Sequence, residues 1–183
     1  TPALDLDCYQ KFDRVFPVSN EVRDVFLKTY PEYRNRVEIL YNILDQERIH
    51  SRALLPGGFA DGFEGFRILT LGRLAREKAL EISVQAARLL KDAGEPVRWY
   101  VLGEGSQRTF LKGKIRALGL EKDFLLPGTV ENPYPYLRQA DLYVHASRYE
   151  GKSIAIQEAQ ILGKAILVSD CSGNREQVRD GID

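Results

Sequence analysis

"DLYVHASRYEGKSIAIQEAQILGKAILVSD" (141–170) decides the fold. Its first part, DLYVHAS (141–147), is a short, nearly continuous apolar run. A polar turn follows, then SIAIQEAQILG (153–163), whose apolar spacing is helical and which closes on a glycine. KAILVSD (164–170) is a second short apolar run. Strand, helix and strand in this order form a crossover unit, which joins parallel strands.

The same alternation continues upstream. YPYLRQA (134–140) predicts a short helix, and DFLLPG (123–128) a strand cut by Pro127. SQRTFLKGKIRALGL (106–120) predicts a helix weakened by Gly113 and stopped near Gly119. VRWYVLG (97–103) predicts a strand, and KALEISVQAARLLKDAG (78–94) a helix closed by Gly94. FRILTLG (66–72) predicts the first strand, and NREQVRD (174–180) starts a last helix. Near-continuous apolar strands separated by helices imply an α/β fold with a parallel sheet covered on both faces, a Rossmann-like doubly wound unit.

The first 45 residues read differently. DRVFPVS and RVEILYN predict strands on either side of an amphipathic helix, NEVRDVFLKTY. We read 1–45 as one more βα unit plus a link, 46–65 as a glycine-rich connecting loop, and 66–183 as the Rossmann-like domain. PGGFADGFEG (56–65) reads as a flexible surface loop, because it has no Lys or Ser/Thr placed to complete a P-loop. Thr1 at the start, the absence of Met and the ending VRDGID make the chain read as a piece of a longer protein, cut at its C-terminus.

Composition narrows the partners. Lys plus Arg (26) balances Asp plus Glu (26), so nothing pulls the whole chain toward nucleic acid or an anionic membrane. No apolar run approaches about 20 residues, so no transmembrane helix is expected. Two cysteines, Cys8 and Cys171, are too few for a disulfide framework and suit a reduced, cytoplasmic setting.

Ligands of doubly wound sheets bind outside the carboxyl ends of the strands. Gly72, Gly103, Gly105 and Gly128 stand at or just after three of those ends, and Gly151 after a fourth. Each alone reads as a turn residue; together, at one edge, they let a ligand approach the backbone closely. Arg73 and Lys78 flank one turn and could neutralise a diphosphate, although taken alone the turn reads first as a solvated charged loop. GEGSQR (103–108) is not a dinucleotide fingerprint, because Arg108 occupies the place of the third glycine. Gly151, Lys152 and Ser153 precede a helix whose free N–H groups suit an anion, with Ser153 as N-cap. Glu150 and Glu158 bracket that anion site. This pattern suits a nucleotide sugar, with one carboxylate taking ribose hydroxyls and the other sugar hydroxyls; two glutamates on a surface helix is the plainer alternative. His145 reads as a half-buried structural histidine near Glu150, and His50 fits no catalytic role.

GRLAREK, GEGS, GTVEN and SRYEGKSIAIQEAQILGKAILVSD, in this order, resemble the C-terminal, donor-binding domain of the family 4, GT-B-fold retaining glycosyltransferases. Glu150 and Glu158 match that family's Glu-x7-Glu signature. FPVSNEVRDVF resembles the last βα unit of the family's N-terminal acceptor domain, and VEILYNILD its interdomain linker. The resemblance implies that Arg73 and Lys78 hold the diphosphate and act with Glu150 in catalysis. Gly128 to Val130 would border the base, and Glu158 would bind the ribose. Glu150, Gly151, Lys152, Ser153 and Ile154 would contact the sugar or its phosphate, with Gly72, Gly103 and Gly105 lining the donor site. No metal and no other cofactor is implied. The Asp5-Leu6-Asp7 triplet resembles the metal motif of a different glycosyltransferase fold and is set aside for lying in a loose terminus.

Two departures stand out. The family's common Gly-Phe-Gly after the first glutamate is Gly-Lys-Ser here, a variant associated with bacterial polysaccharide enzymes. Ala79 replaces the glycine usual after the motif lysine. The implied reaction moves a hexose from a UDP-sugar, or second a GDP-sugar, to a glycan or lipid-linked acceptor. The implied setting is the cytoplasm, with peripheral association of the full-length protein on the inner membrane face, and no nucleic-acid partner. The rival readings are a sugar-nucleotide 2-epimerase and a non-catalytic nucleotide-sugar-binding subunit.

Overall fold

Strand alternation builds two cores on opposite faces of one sheet. The computed structural model describes residues 8–182. Its strands are β1 (Phe66–Leu71), β2 (Val97–Leu102), β3 (Phe124–Gly128), β4 (Leu142–His145) and β5 (Ala165–Val168). They form a parallel sheet of order β3-β2-β1-β4-β5. Successive side chains point to opposite faces. Ile68, Trp99, Val101, Phe124 and Val144 therefore enter one core, and Leu69, Leu71, Tyr100, Leu102 and Tyr143 the other.

The helices before β5 are α1 (Asn20–Thr29), α2 (Gln46–Ala53), α3 (Leu80–Asp92), α4 (Arg108–Ala117), α5 (Tyr134–Gln139) and α6 (Ile154–Ile161). α7 (Ser172–Arg175) follows β5. Leu80, Val84 and Ala87 of α3 and Leu111 and Ile115 of α4 cover the first face. Leu137 of α5 and Ile156 and Ala159 of α6 cover the second. The one polar side chain that β1 sends into the first core is satisfied: the Thr70 hydroxyl donates to the Val144 carbonyl at 2.8 Å and accepts from the Trp99 indole N–H at 3.0 Å. The doubly wound reading is therefore correct, with one exception. β5 lies at the sheet's outer edge, and Leu167 is exposed, so one face of that strand is uncovered among the described residues. Pro127 is tolerated because β3 is the opposite edge and its register with β2 is irregular there.

The N-terminal expectations need correction. DRVFPVS and RVEILYN do not form strands; they meet in one parallel bridge, Val15 with Val37. Pro17 has no N–H to extend a ladder, and no third strand supports the pair. The expected helix is present as α1, capped by Ser19, whose hydroxyl accepts from Val22 N–H at 3.2 Å. The first half of the expected connecting loop is α2, capped by Asp45, which accepts from Arg48 N–H at 2.9 Å. Its short, charge-rich sequence hides the helical period; the Asp cap was the available signal. The glycine-rich segment is pinned rather than free. Phe59 packs on Tyr100 (ring centroids 4.3 Å) and Tyr136 (5.2 Å), and Asp61 accepts from Arg98 at 2.9 Å and from the Tyr100 phenol. The Asp5-Leu6-Asp7 triplet lies outside the described residues.

α1 is held to the sheet domain by a carboxylate. Glu176, just after α7, accepts from Asn20 N–H at 3.1 Å and Glu21 N–H at 2.9 Å, the free donors of the first helical turn. Burial raises the Glu176 pKa, but those N–H groups outweigh it and lower the value overall. Glu176→Ala should speed hydrogen exchange at Asn20 and Glu21 and cost about 0.5–2 kcal/mol. Exchange in β1 and β2 should stay unchanged; unchanged exchange at Asn20 and Glu21 would rule the clasp out.

Candidate functional site

The sheet changes direction at β1. The chain winds outward from β1 through β2 to β3, then returns to place β4 on β1's other side. β1 and β4 pair only over Ile68–Leu142 and Leu69–Tyr143. Beyond that short ladder Gly72, Lys78, His145 and Ser147 line a narrow crevice between the two carboxyl ends, the location where open α/β sheets bind ligands.

Glycines make one side of this crevice. Gly72 N–H donates to Leu102 O at 3.1 Å, and Gly103 N–H to Gly128 O at 2.9 Å, so the ends of β1, β2 and β3 are stitched side by side. A Cβ on Gly103 would lie 2.0 Å from the Gly72 carbonyl oxygen, and one on Gly105 2.5 Å from that of Leu74. No side chain fits at either position. Gly72, Gly103 and Gly128 of the glycines read as one site lie together, with Gly105 on the adjoining turn; for Gly103 and Gly105 the close approach is of backbone to backbone.

The turn after β1 ends in a 3-10 turn, Arg76–Lys78, and Ala79. Ala79 has φ +47° and ψ +32°, a left-handed conformation, and is the non-glycine residue with positive φ among those described. The departure noted in the sequence thus falls on a position whose backbone favours glycine. The left-handed conformation costs an L-residue about 1–2 kcal/mol. This strained turn starts α3 and aims Lys78 into the crevice.

Glu150 is the centre of the site. Its Oε1 receives the Lys78 ammonium, the Ser147 hydroxyl at 2.6 Å and His145 Nε2 at 2.8 Å. The Lys78 and Glu150 side chains are only 18% and 13% exposed. Among the described residues, nothing hydrogen-bonds to Oε2. Burial pushes the Glu150 carboxyl upward, but His145, Lys78 and Ser147 outweigh it and lower the pKa to about 2. Glu150 is therefore an ionised acceptor at neutral pH.

Glu158 lies within α6, eight positions beyond Glu150, in a different electrostatic setting. Burial raises its pKa, opposed by the Tyr134 phenol, which donates to Oε1 at 2.8 Å. Tyr134 in turn lies under the Arg52 guanidinium (5.6 Å), and Arg52 donates to the Glu131 carbonyl at 3.1 Å. α2 thereby supports the loop carrying Val130, which packs against the second core.

The remaining expected residues are dispersed. Arg73 is 79% exposed and pairs with Glu77 at 3.2 Å, apart from the Lys78–Glu150 pair. The Lys152 ammonium lies over the Tyr41 ring at 3.8 Å, on the side of the N-terminal segment. Gly151 is backed by Val22 and Val18, where a Cβ would approach to 3.3 and 3.6 Å. Ser153 stands at the N-cap of α6 with extended backbone, but its hydroxyl makes no capping hydrogen bond, contrary to its expected role. Ile154 is half exposed. His145 needs the largest correction: it is 2% exposed, not half-buried, and touches Glu150 directly. Ser147, Tyr134 and Tyr143 were not singled out in the sequence. The alternation Tyr143-x-His145, which puts two polar rings on one face of a buried strand, was the signal for Tyr143. Gly173 also went unnoticed; its absent Cβ would lie 2.2 Å from the Glu150 carbonyl oxygen, so α7 packs directly against the Glu150 loop.

Two measurements follow from this geometry. Ala79→Gly relieves the left-handed strain but frees the unfolded chain by about 0.4–1 kcal/mol, so the variant should be equal to or up to about 1.5 kcal/mol more stable than the parent by denaturant titration. The two glutamates should respond oppositely to pH. Glu150's folded pKa lies below its ordinary 4.5, so its stabilisation is present above that value and is lost as pH falls toward about 2. Glu158's folded pKa lies above its ordinary value, so its contribution is present at low pH and lost as pH rises. Glu150→Gln should cost about 1–3 kcal/mol at pH 7 and flatten the acid limb of the stability profile. Glu158→Gln should be no less stable than the parent at pH 7. Parallel acid limbs for Glu150→Gln and parent would refute the assignment.

Known proteins share the chain's sequence pattern and its fold. The family model described as glycosyl transferases group 1 matches residues 63–183. A curated N-acetylgalactosamine-N,N'-diacetylbacillosaminyl-diphospho-undecaprenol 4-alpha-N-acetylgalactosaminyltransferase of Campylobacter jejuni is 33% identical over 174 residues, covering 94% of this chain and 46% of that protein. The chain thus spans about half the length of this relative. Among solved structures, Anabaena Alr3699/HepE in complex with UDP and glucose superposes with a TM-score of 0.83 at 18% identity, covering 99% of this chain and 51% of that one. The pneumococcal O-GlcNAc transferase GtfA, in complex with UDP and GlcNAc, superposes with a TM-score of 0.72 at 22% identity, covering 94% and 33%. These likenesses place the fold among GT-B glycosyltransferase domains. With two thirds of its residues inside the family model, the chain belongs to the group 1 glycosyl transferases.

Proposed function

We propose that this chain is the nucleotide-sugar-binding part of a retaining glycosyltransferase that moves a hexose from a UDP-sugar, or second a GDP-sugar, to a glycan or lipid-linked acceptor. The observation that carries the reading is the Glu150 cluster. A buried carboxylate is kept ionised at the carboxyl ends of β1 and β4, with a lysine on it and an oxygen left over. An ionised carboxylate can only accept, so Glu150 suits the hydroxyls of a sugar and not the task of a general acid. Lys78 and, after leaving Glu77, Arg73 supply the positive charge that stabilises a departing diphosphate. The free N–H groups at the start of α6 support the same anion. Glu158, held by Tyr134, takes the ribose hydroxyls.

The preference for UDP is supported by the UDP in the Anabaena and pneumococcal structures. The lipid-linked acceptor is supported by the diphospho-undecaprenol acceptor in the name of the Campylobacter relative. Metal independence and retention follow from the resemblance to family 4. Peripheral association of the full-length protein with the inner membrane face is part of the same proposal; among the described residues, no helix is long and apolar enough to cross a membrane.

The reading is tested by thermal shift of the chain with UDP, GDP, ADP and NAD. At about 100 times its dissociation constant a ligand stabilises by about 2.7 kcal/mol, which is several degrees here. UDP is expected to give the largest shift, and Arg73→Ala and Glu158→Ala to abolish it. A shift with NAD alone, or equal UDP shifts in both variants and parent, would refute the proposal.

A further inference from the structure

The side chains of Tyr143 and His145 lie behind Glu150, on the core side of the site, and the proposed reaction uses neither directly. Both are buried, at 0% and 2% exposure, and as alternate residues of β4 they share the face that packs on α5 and α6. The Tyr143 hydroxyl lies 3.0 Å from His145 Nδ1, and His145 Nε2 lies 2.8 Å from Glu150 Oε1. The Leu71 backbone also hydrogen-bonds to Tyr143.

The direction of this chain of hydrogen bonds follows from its end. Glu150 is ionised and can only accept, so the proton between His145 and Glu150 belongs to Nε2. In the neutral ring Nδ1 is then an acceptor, and the phenol O–H must be the donor that satisfies it. The phenol is suited to this, since burial, followed by the charges of Glu158 and Glu150, pushes its pKa far up and keeps it protonated.

We propose that Tyr143 and His145 are positioning residues for Glu150. The phenol fixes the imidazole with its proton on Nε2, and that N–H holds Oε1 so that Oε2 faces the donor sugar. The proposal rests on the reading of Glu150 as the sugar-facing carboxylate. It also explains why Oε1 has three donors from three elements: Lys78 from the turn after β1, His145 from β4, and Ser147 from the loop beyond. When Lys78 turns to the incoming diphosphate, His145 and Ser147 keep the carboxylate in place. A carboxylate held by lysine alone would swing with it.

The test uses the two histidines, His50 and His145, as reporters. Long-range 1H–15N spectra of the 15N-histidine-labelled chain at neutral pH should show His145 protonated on Nε2 with Nδ1 bare. His50, exposed on α2, serves as the averaging control. In Tyr143→Phe the His145 nitrogens should shift toward a mixture of forms. A proton on Nδ1, whether in the neutral or doubly protonated ring, or a His145 spectrum unchanged by Tyr143→Phe, would overturn the proposal.

The second arm compares binding of UDP with that of UDP-glucose and UDP-N-acetylgalactosamine. Tyr143→Phe and His145→Ala should weaken the tighter-binding nucleotide sugar by about three- to tenfold and leave UDP unchanged. His145→Gln, which can offer an N–H in place of Nε2, should recover part of the loss. Equal weakening of UDP and the nucleotide sugar would assign the pair a merely structural role. If the parent chain binds none of these ligands, the donor reading falls, and the ring spectra still decide whether the two residues orient Glu150.

Discussion

A buried, ionised carboxylate can exist only where donors surround it. Desolvating such a charge without partners costs several kcal/mol. Glu150 meets this condition with a lysine, a histidine and a serine drawn from the turn after β1, the end of β4 and the loop beyond it. Each contributor needs its own scaffold. Lys78 needs the left-handed Ala79 behind it, His145 needs the parallel register of β4, and Ser147 needs the loop tied by its N–H to the Ser169 hydroxyl at 2.9 Å. The order of the strands, with β4 beside β1, brings them within reach of one oxygen atom.

The glycines serve this arrangement from the other side. With no Cβ at Gly103 or Gly105, the turns after β1 and β2 pack backbone on backbone. Gly173 does the same behind Glu150, letting α7 close against the loop. The N-terminal segment meets this loop as well, through Val18 and Val22 at Gly151, Tyr41 at Lys152, and the Glu176 clasp on α1. Motion of that segment would therefore be felt at residues 150–153 directly, without a long chain of intermediates.

Much of this was legible in the chain itself. Apolar runs separated by helical periods carry the doubly wound sheet, because a strand buried on both faces must be apolar throughout. The same rule located the site, since strand ends can be counted from a pattern. It failed at the N-terminus, where Pro17 and the lack of a third strand leave a single bridge. It failed again at α2, whose eight residues bury only Ile49 and Ala53 and show almost no period.

The sequence alone determined the order of elements, the parallel sheet, and the placing of the two glutamates after the carboxyl end of β4, because burial and turn chemistry are local properties of a residue pattern. Tertiary structure decided the pairing: Lys78 with Glu150 across 72 positions, Tyr134 with Glu158 across 24, and Arg73 turned outward to Glu77. It also decided the charge states, one carboxyl lowered and the other raised. A pKa depends on which donors reach a buried oxygen, and that is settled by which strands lie side by side.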